Sequence, residues 1–135
     1  MVTSDHEVVA SDKKPQNQSR NGDRFAVLIQ DWFTTWLNAI PKPTKSGEDT
    51  ADAFRQFFCP GVTPEVVYSD NSEELKYAKK ALGMLFPATS TPHIPQTNSI
   101  AENCVRKVKE GTACSLTQSG LTHQFWCDAM DCFCF

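Results

Sequence analysis

Residues 65–82, EVVYSDNSEELKYAKKAL, combine a short apolar run, a polar turn and an amphipathic segment. The run Val66 to Tyr68 is typical of a buried strand, because β-branched and aromatic side chains pack well on a sheet. Asp70 follows as a turn residue. Three apolar residues then recur at helical spacing on one face: Leu75, Ala78 and Leu82. The stretch therefore predicts a strand, a turn and a helix in close succession.

The apolar patterns on either side predict the remaining elements. Those upstream are three strands and a helix: Thr3 to Ala10, Phe25 to Gln30, Thr35 to Ile40 and Ser46 to Phe58. Pro41 is expected to end the third strand. Those downstream are a short strand and two helices: Met84 to Ala88, Asn98 to Gln118, and a final helix capped by Thr122. This order indicates an α/β domain.

Length and charge narrow the class of protein. With 135 residues, the chain suits one domain and is too short for a second. Its net charge of -3 excludes a globally basic nucleic-acid wrapper, so any contact with DNA needs a local basic patch. The N-terminus lacks an apolar signal core, and no apolar run approaches the roughly 20 residues of a membrane helix. We therefore expect an intracellular protein without a membrane partner.

The six cysteines are expected to be reduced thiols, since no secretory signal accompanies them. His123, Cys127, Cys132 and Cys134 lie close together in the sequence. A zinc site or a redox function is the alternative, although the spacing matches no closed zinc pattern.

Three carboxylates are placed where they can meet. Asp5 lies in the first predicted strand, Asp70 directly follows the fourth, and Glu102 lies in the first turn of the long helix. If the first and fourth strands are neighbours, their acidic residues converge. Such clusters hold the two hard cations that phosphoryl transfer uses. The structural alternatives are a turn former at Asp70, an exposed terminal residue at Asp5, and a capping box formed by Ser99 and Glu102.

Two segments carry a family resemblance. The runs Val67 to Leu75, VYSDNSEEL, and Ser90 to Glu102, STPHIPQTNSIAE, resemble the catalytic core of retroviral and LTR-retrotransposon integrases. In that family an aspartate opens a D-N-G/S-x-E-F-like segment, and a glutamate closes a T-P-H-x-P-Q-x-N-G-x-A-E-like segment about thirty residues later; here 31 residues separate Asp70 from Glu102. Segments 24–34 and 113–129 are also similar, most of all to the copia type.

The resemblance implies an RNase H-like fold, with a mixed five-stranded sheet flanked by helices. It also implies that Asp5, Asp70 and Glu102 bind two Mg²⁺ or Mn²⁺ ions, with Asp31 as a rival for the first position. Ser99 stands where the family usually has glycine, and Leu75 replaces the usual aromatic. Serine at position 99 would be strained if the backbone there required a positive φ.

Four residues near Glu102 are candidates for DNA contact: Asn98, Arg106, Lys107 and Lys109. Arg106 and Lys109 follow Glu102 by four and seven residues, which places all three on one helix face. A solvated face with Glu110 as ionic partner is the alternative. His93 is expected to orient DNA or water, or to have only a structural role in its loop. The tryptophans are expected to pack in the core or at a subunit interface rather than to stack on bases.

We therefore expect residues 1–135 to form an integrase catalytic core, incomplete at both ends and truncated at the C-terminus, that acts in the nucleus on the DNA ends of the element and on target DNA. A homodimer is expected, because the final helix leaves an apolar side exposed. The alternative is an inactive, integrase-derived fragment that only binds nucleic acid or self-associates.

Overall fold

The computed structural model describes residues 2–6, 18–31, 33–58, 60–62, 64, 67–69, 72–83, 87–89 and 95–134. For residues 2–6, 68, 87–89, 95–98 and 100, only the backbone is described. This part of the chain forms five strands and four helices in the order β1-β2-β3-α1-β4-α2-β5-α3-α4, with a short 3-10 turn at His123–Phe125. The α/β class predicted from the sequence is therefore confirmed.

The strands form one mixed sheet in the order β3-β2-β1-β4-β5. Their bounds are β1 Val2–His6, β2 Phe25–Gln30, β3 Leu37–Lys42, β4 Val67–Ser69 and β5 Pro87–Thr89. β2 is antiparallel to both of its neighbours, β1 and β3. β4 runs parallel to β1, and β5 runs parallel to β4. The expected adjacency of the first and fourth strands is therefore confirmed.

One face of the sheet is covered by α1 (Gly47–Phe57) and α2 (Glu73–Ala81). Ser46 caps α1 as expected, because its Oγ accepts a hydrogen bond from the Asp49 N–H at 3.1 Å. Phe54 of α1 and Leu75 of α2 are fully buried. They pack in the same cluster as Val27 of β2, so this layer has a continuous apolar core.

The opposite face is covered by α3 (Pro95–Ser119) and α4 (Trp126–Cys134). Alternation along β2 turns Ala26 and Leu28 toward these helices, where they pack with Val108 and Trp126. The interior location expected for Trp126 is confirmed, since it is 1% exposed. Trp36 is 54% exposed, so a core role is wrong for it; Trp32 lies outside the described residues.

Several predicted boundaries differ from the observed ones. The final helix is not capped by Thr122: Thr122 precedes the 3-10 turn without a side-chain cap hydrogen bond, and α4 begins at Trp126. Two further differences have a clear physical reason. Pro41 does not end the third strand but lies inside β3, paired with Ala26. β3 is at the sheet edge, where a residue without an N–H is tolerated. The long helix begins at Pro95 rather than Asn98, as suits a proline whose missing N–H costs nothing in the first helical turn. No helix in the described ranges has the length and apolar character needed to cross a membrane.

Candidate active site

The candidate site lies at the sheet edge where β1 and β4 end. In their parallel register, Val2 is opposite Tyr68 and Thr3 is opposite Ser69. Asp5 lies two residues beyond Thr3 in the same strand, paired on its other side with Val27. Asp70 is the next residue in sequence after Ser69 and lies outside the described residues. Parallel pairing thus directs both strands toward one edge, at about 4.8 Å interstrand spacing.

Glu102 lies on α3, which packs against β1 and β2. Its side chain is exposed, whereas the neighbouring Val105 and Val108 are buried. The Cys104 thiol donates a hydrogen bond to Gln30 Oε1 at 2.7 Å. This contact ties α3 to β2 two residues after Glu102. α3 therefore holds the glutamate on a helix that is anchored to the sheet.

The position at which α3 begins decides two questions from the sequence: whether Ser99 and Glu102 form a capping box, and whether Ser99 is strained. Since α3 begins at Pro95, Glu102 lies in the second turn and not in the first, because a turn takes about 3.6 residues. Ser99 is inside the helix rather than at its N-cap. A capping box formed by Ser99 and Glu102 is therefore wrong. Ser99 also does not adopt a positive φ; among described non-glycine residues only Thr35 does, at 61°.

The candidate DNA-contacting residues follow Glu102 along α3. At about 100° per residue, Arg106 and Lys109 lie within about 40° of Glu102 around the helix, and Lys107 lies about 140° away. Arg106 Nη2 donates to Asn103 Oδ1 at 3.1 Å. Among the described residues, Glu110 takes part in no ion pair. Arg106 is thus exposed on the same face as Glu102, and Lys109 is half-buried on that face.

Two candidates upstream are described less fully. Asn98 lies in the first turn of α3, where only the backbone is described, and His93 lies outside the described residues. The alternative first aspartate, Asp31, is exposed in the β2–β3 turn, where its Oδ2 accepts from the Thr34 hydroxyl at 2.6 Å. This hydrogen bond is the main reason why the pKa of Asp31 is lowered. Asp31 thus has a local structural role in the turn.

The charge around this edge is uneven. β3 also runs parallel to β1, because both are antiparallel to β2, so α1 and α2 begin near the edge where β1, β3 and β4 end. A cleft of about 580 Å³ lies between the starts of α1 and α2. Glutamates predominate among its charged lining residues: Lys45, Glu48, Glu73 and Glu74. The acidic side of the edge is thus at α1 and α2, and the basic side is along α3.

The cysteines and histidine of the C-terminal segment are arranged differently from a zinc site. Burial raises the pKa of Cys127 to about 12 and of Cys134 to about 11, which keeps both thiols protonated. Cys132 and His123 are exposed. Among the side chains that the structure describes, which include neither Asp5 nor Asp70, no group of three potential metal-binding side chains is found.

The fold is similar to that of a known catalytic core. The BIV integrase catalytic core domain superposes with a TM-score of 0.59 and 15% sequence identity, over 96% of this chain and 78% of that chain. No protein-family model matches the sequence, and no curated protein matches it. At this identity the likeness concerns the fold alone. The chain therefore has the fold of an integrase catalytic core.

Proposed function

We propose that this chain is a copia-like retrotransposon integrase core with an RNase H-like fold that transfers DNA strands in a metal-dependent reaction. The observation that carries the proposal is the parallel pairing of β1 and β4. It brings the end of the Asp5 strand beside the strand that Asp70 follows. The integrase-core fold and the motif order in the sequence support the same function.

In this proposal Asp5, Asp70 and Glu102 hold two Mg²⁺ or Mn²⁺ ions. Carboxylate oxygens are the hard ligands that these cations prefer, so the donor set suits the metal. Bound divalent ions stabilise the attacking and leaving oxygens of an in-line phosphoryl transfer. The protein contributes orientation: β1 carries Asp5 in its backbone, β4 immediately precedes Asp70 in sequence, and α3, anchored through Cys104 and Gln30, carries the glutamate.

DNA is proposed to follow α3 rather than α1 and α2. Arg106 and Lys109 offer phosphates two cations on the Glu102 face, where position 98 (Asn98) lies one turn earlier. Lys107, about 140° away around the helix, would be reached only by DNA that curves around α3. The glutamate-rich cleft between the starts of α1 and α2 repels phosphates. Element ends and target DNA would therefore approach from the α3 side, in the nucleus. Phe133 on α4, 42% exposed, supports a proposed homodimer.

The test is Mn²⁺-dependent cleavage and rejoining of a branched DNA substrate. Asp70→Asn and Glu102→Gln preserve side-chain volume but remove the charge, so both are expected to abolish activity. Glu110→Gln is the matched control, because it changes an exposed glutamate eight residues further along the same helix. Full activity in Asp70→Asn would overturn the proposal. An inactive wild-type chain that still binds DNA would instead identify an integrase-derived binding module.

DNA contact is tested separately by the salt dependence of binding. Replacing Arg106 or Lys109 with Gln is expected to lower the slope of log K against log salt by about one each. Lys76→Gln on α2 is the control, because Lys76 instead pairs with Glu73 at 2.8 Å. An unchanged slope in both α3 variants would place the DNA path elsewhere.

A further inference from the structure

A second cleft lies between β3, α1 and the last turns of α4. Its volume is about 320 Å³, within the range of small-ligand pockets. Its lining includes an exposed aromatic ring, two amides, a carboxylate and a thiol: Trp36, Asn38, Gln56, Asp131 and Cys134.

The carboxylate of Asp131 has no cationic partner among the described residues. Arg20 is engaged with Asp128 at 3.2 Å and Lys42 of β3 is engaged with Asp52, while Arg55 of α1 is not among the residues that line the cleft. Burial raises the pKa of Asp131, and the charges of Asp128 and Asp23 raise it further. The cleft thus contains a negative charge that its own surroundings disfavour, which a cation would compensate.

The same chain already shows how a guanidinium is held beside α4. Arg20 lies over the Phe125 ring, 5.2 Å from its centroid, and also bonds to Asp128 Oδ1. This is one aromatic face combined with one carboxylate. Asp131 follows Asp128 by three residues on α4, which places both on neighbouring positions of one helix side. In the cleft, Trp36 and Asp131 again provide an aromatic ring and a carboxylate, and no arginine is among the described residues that line it.

We propose that this cleft binds an arginine side chain of a protein partner, with the guanidinium stacked on Trp36 and paired with Asp131. Tryptophan is the strongest cation–π partner, and the planar guanidinium matches a carboxylate in geometry. Nucleic acid is excluded as the ligand by charge, since Asp131 and Asp128 repel phosphates. The proposal does not depend on the strand-transfer function.

Addition of a partner strand to β3 is disfavoured by the contacts at this edge. The Ala39 N–H donates to Asn38 Oδ1 at 2.8 Å and also contacts Cys134, so this backbone donor is already satisfied. Pro41 has no N–H to offer. Recognition in the cleft must therefore depend on the partner's side chain rather than on its backbone.

The test uses the full chain and the peptide Ac-Gly-Arg-Gly-amide, followed through the NMR signals of the backbone N–H groups of Asn38, Ala39 and Gln56 in the cleft, which every variant retains. Saturable shifts are expected with this peptide and not with the citrulline peptide, which has the same shape without the charge. Asp131→Asn is expected to weaken binding about tenfold, and Trp36→Leu about threefold. Glu110→Gln and Phe33→Leu serve as the acidic and aromatic controls outside the cleft.

Three outcomes would overturn the proposal. Equal binding of the citrulline peptide would show that charge is not recognised. Unchanged affinity in Asp131→Asn would remove the carboxylate from the site. Sedimentation showing a dimer that Trp36→Leu dissociates, together with no peptide binding by the wild type, would show that a second copy of the chain covers the cleft.

Discussion

The two helical layers pack on the same sheet but differ in how completely their polar groups are paired. In the α1–α2 layer, Thr50 is buried and its hydroxyl donates to the Ser46 carbonyl at 2.8 Å. In the α3–α4 layer, Thr112 is equally buried, but neither its hydroxyl nor the indole nitrogen of Trp126 has a hydrogen-bond partner within the part of the chain that the structure describes. The first layer thus resembles a pure scaffold.

The pairing of charged side chains also differs between the two layers. Lys42 of β3 pairs with Asp52 of α1, and Lys45 pairs with Glu74 of α2 at 3.1 Å. On α4, Asp128 pairs with Arg20 at 3.2 Å, but Asp131 has no cationic partner among the described residues. Both proposed sites use α3 or α4. Local rules of folding are commonly broken where a protein functions, so the contrast supports the two proposals that place sites on α3 and α4.

The largest expected effects test whether each layer is packed. Phe54→Ala removes a fully buried ring from the α1–α2 layer and is expected to cost about 3–5 kcal/mol of unfolding free energy. Trp126→Ala also leaves a cavity, but it removes an unpaired buried N–H that costs about 1–3 kcal/mol. Trp126→Ala should therefore cost less than Phe54→Ala, although tryptophan is the larger residue. Urea unfolding measures both variants, and a greater loss for Trp126→Ala would contradict the contrast.

A matched pair of threonines gives a smaller but sharper test. Thr112→Val keeps the shape and removes an unpaired hydroxyl, so it is expected to stabilise the fold by about 1 kcal/mol. Thr50→Val removes a hydroxyl that is hydrogen-bonded and is expected to destabilise by about the same amount. Thermal unfolding of the two variants at neutral pH measures the difference. Changes of the same sign would show that the layers do not differ in polar satisfaction.

Much of the fold was predictable because local signals and packing agree. β2 was predicted at its observed bounds, since an apolar run between turn residues is typical of a buried strand. Ser46 was identified as the cap of α1 for its hydroxyl and for the acidic first turn that follows. Pro41 in β3 was missed, because only the sheet order shows that β3 lies at an edge.

The candidate sites were predictable to different degrees. Asp5 and Asp70 follow from strand order and a motif, and the adjacency of their strands is observed. The Trp36–Asp131 cleft could not be predicted, because its residues come from a hairpin and from a helix that lie 95 positions apart. Neither residue has a neighbouring motif. Only the packing of α4 beside β3 brings them to one cleft.

The smallest expected effects come from two aspartates of opposite character. The Lys42 hydrogen bond lowers the pKa of Asp52 below its ordinary 3.8. Its contribution to stability is therefore present above about pH 3.8 and is lost as the pH falls through the folded-state pKa. Asp52→Asn should lower the melting temperature at neutral pH, and the difference from wild type should shrink in acid.

Asp131 should behave in the opposite way. Burial raises its pKa above 3.8, so the folded state favours the protonated form, and stability declines as the pH rises from about 3.8 to the folded-state pKa. Asp131→Asn should therefore raise the melting temperature at neutral pH and leave it unchanged well below pH 3.8. Calorimetry of both variants across this range, with Glu110→Gln as the surface control, measures the two signs. A lower melting temperature for Asp131→Asn at neutral pH would mean that this carboxylate stabilises the fold, and the proposed difference between the layers would then fail at its most specific point.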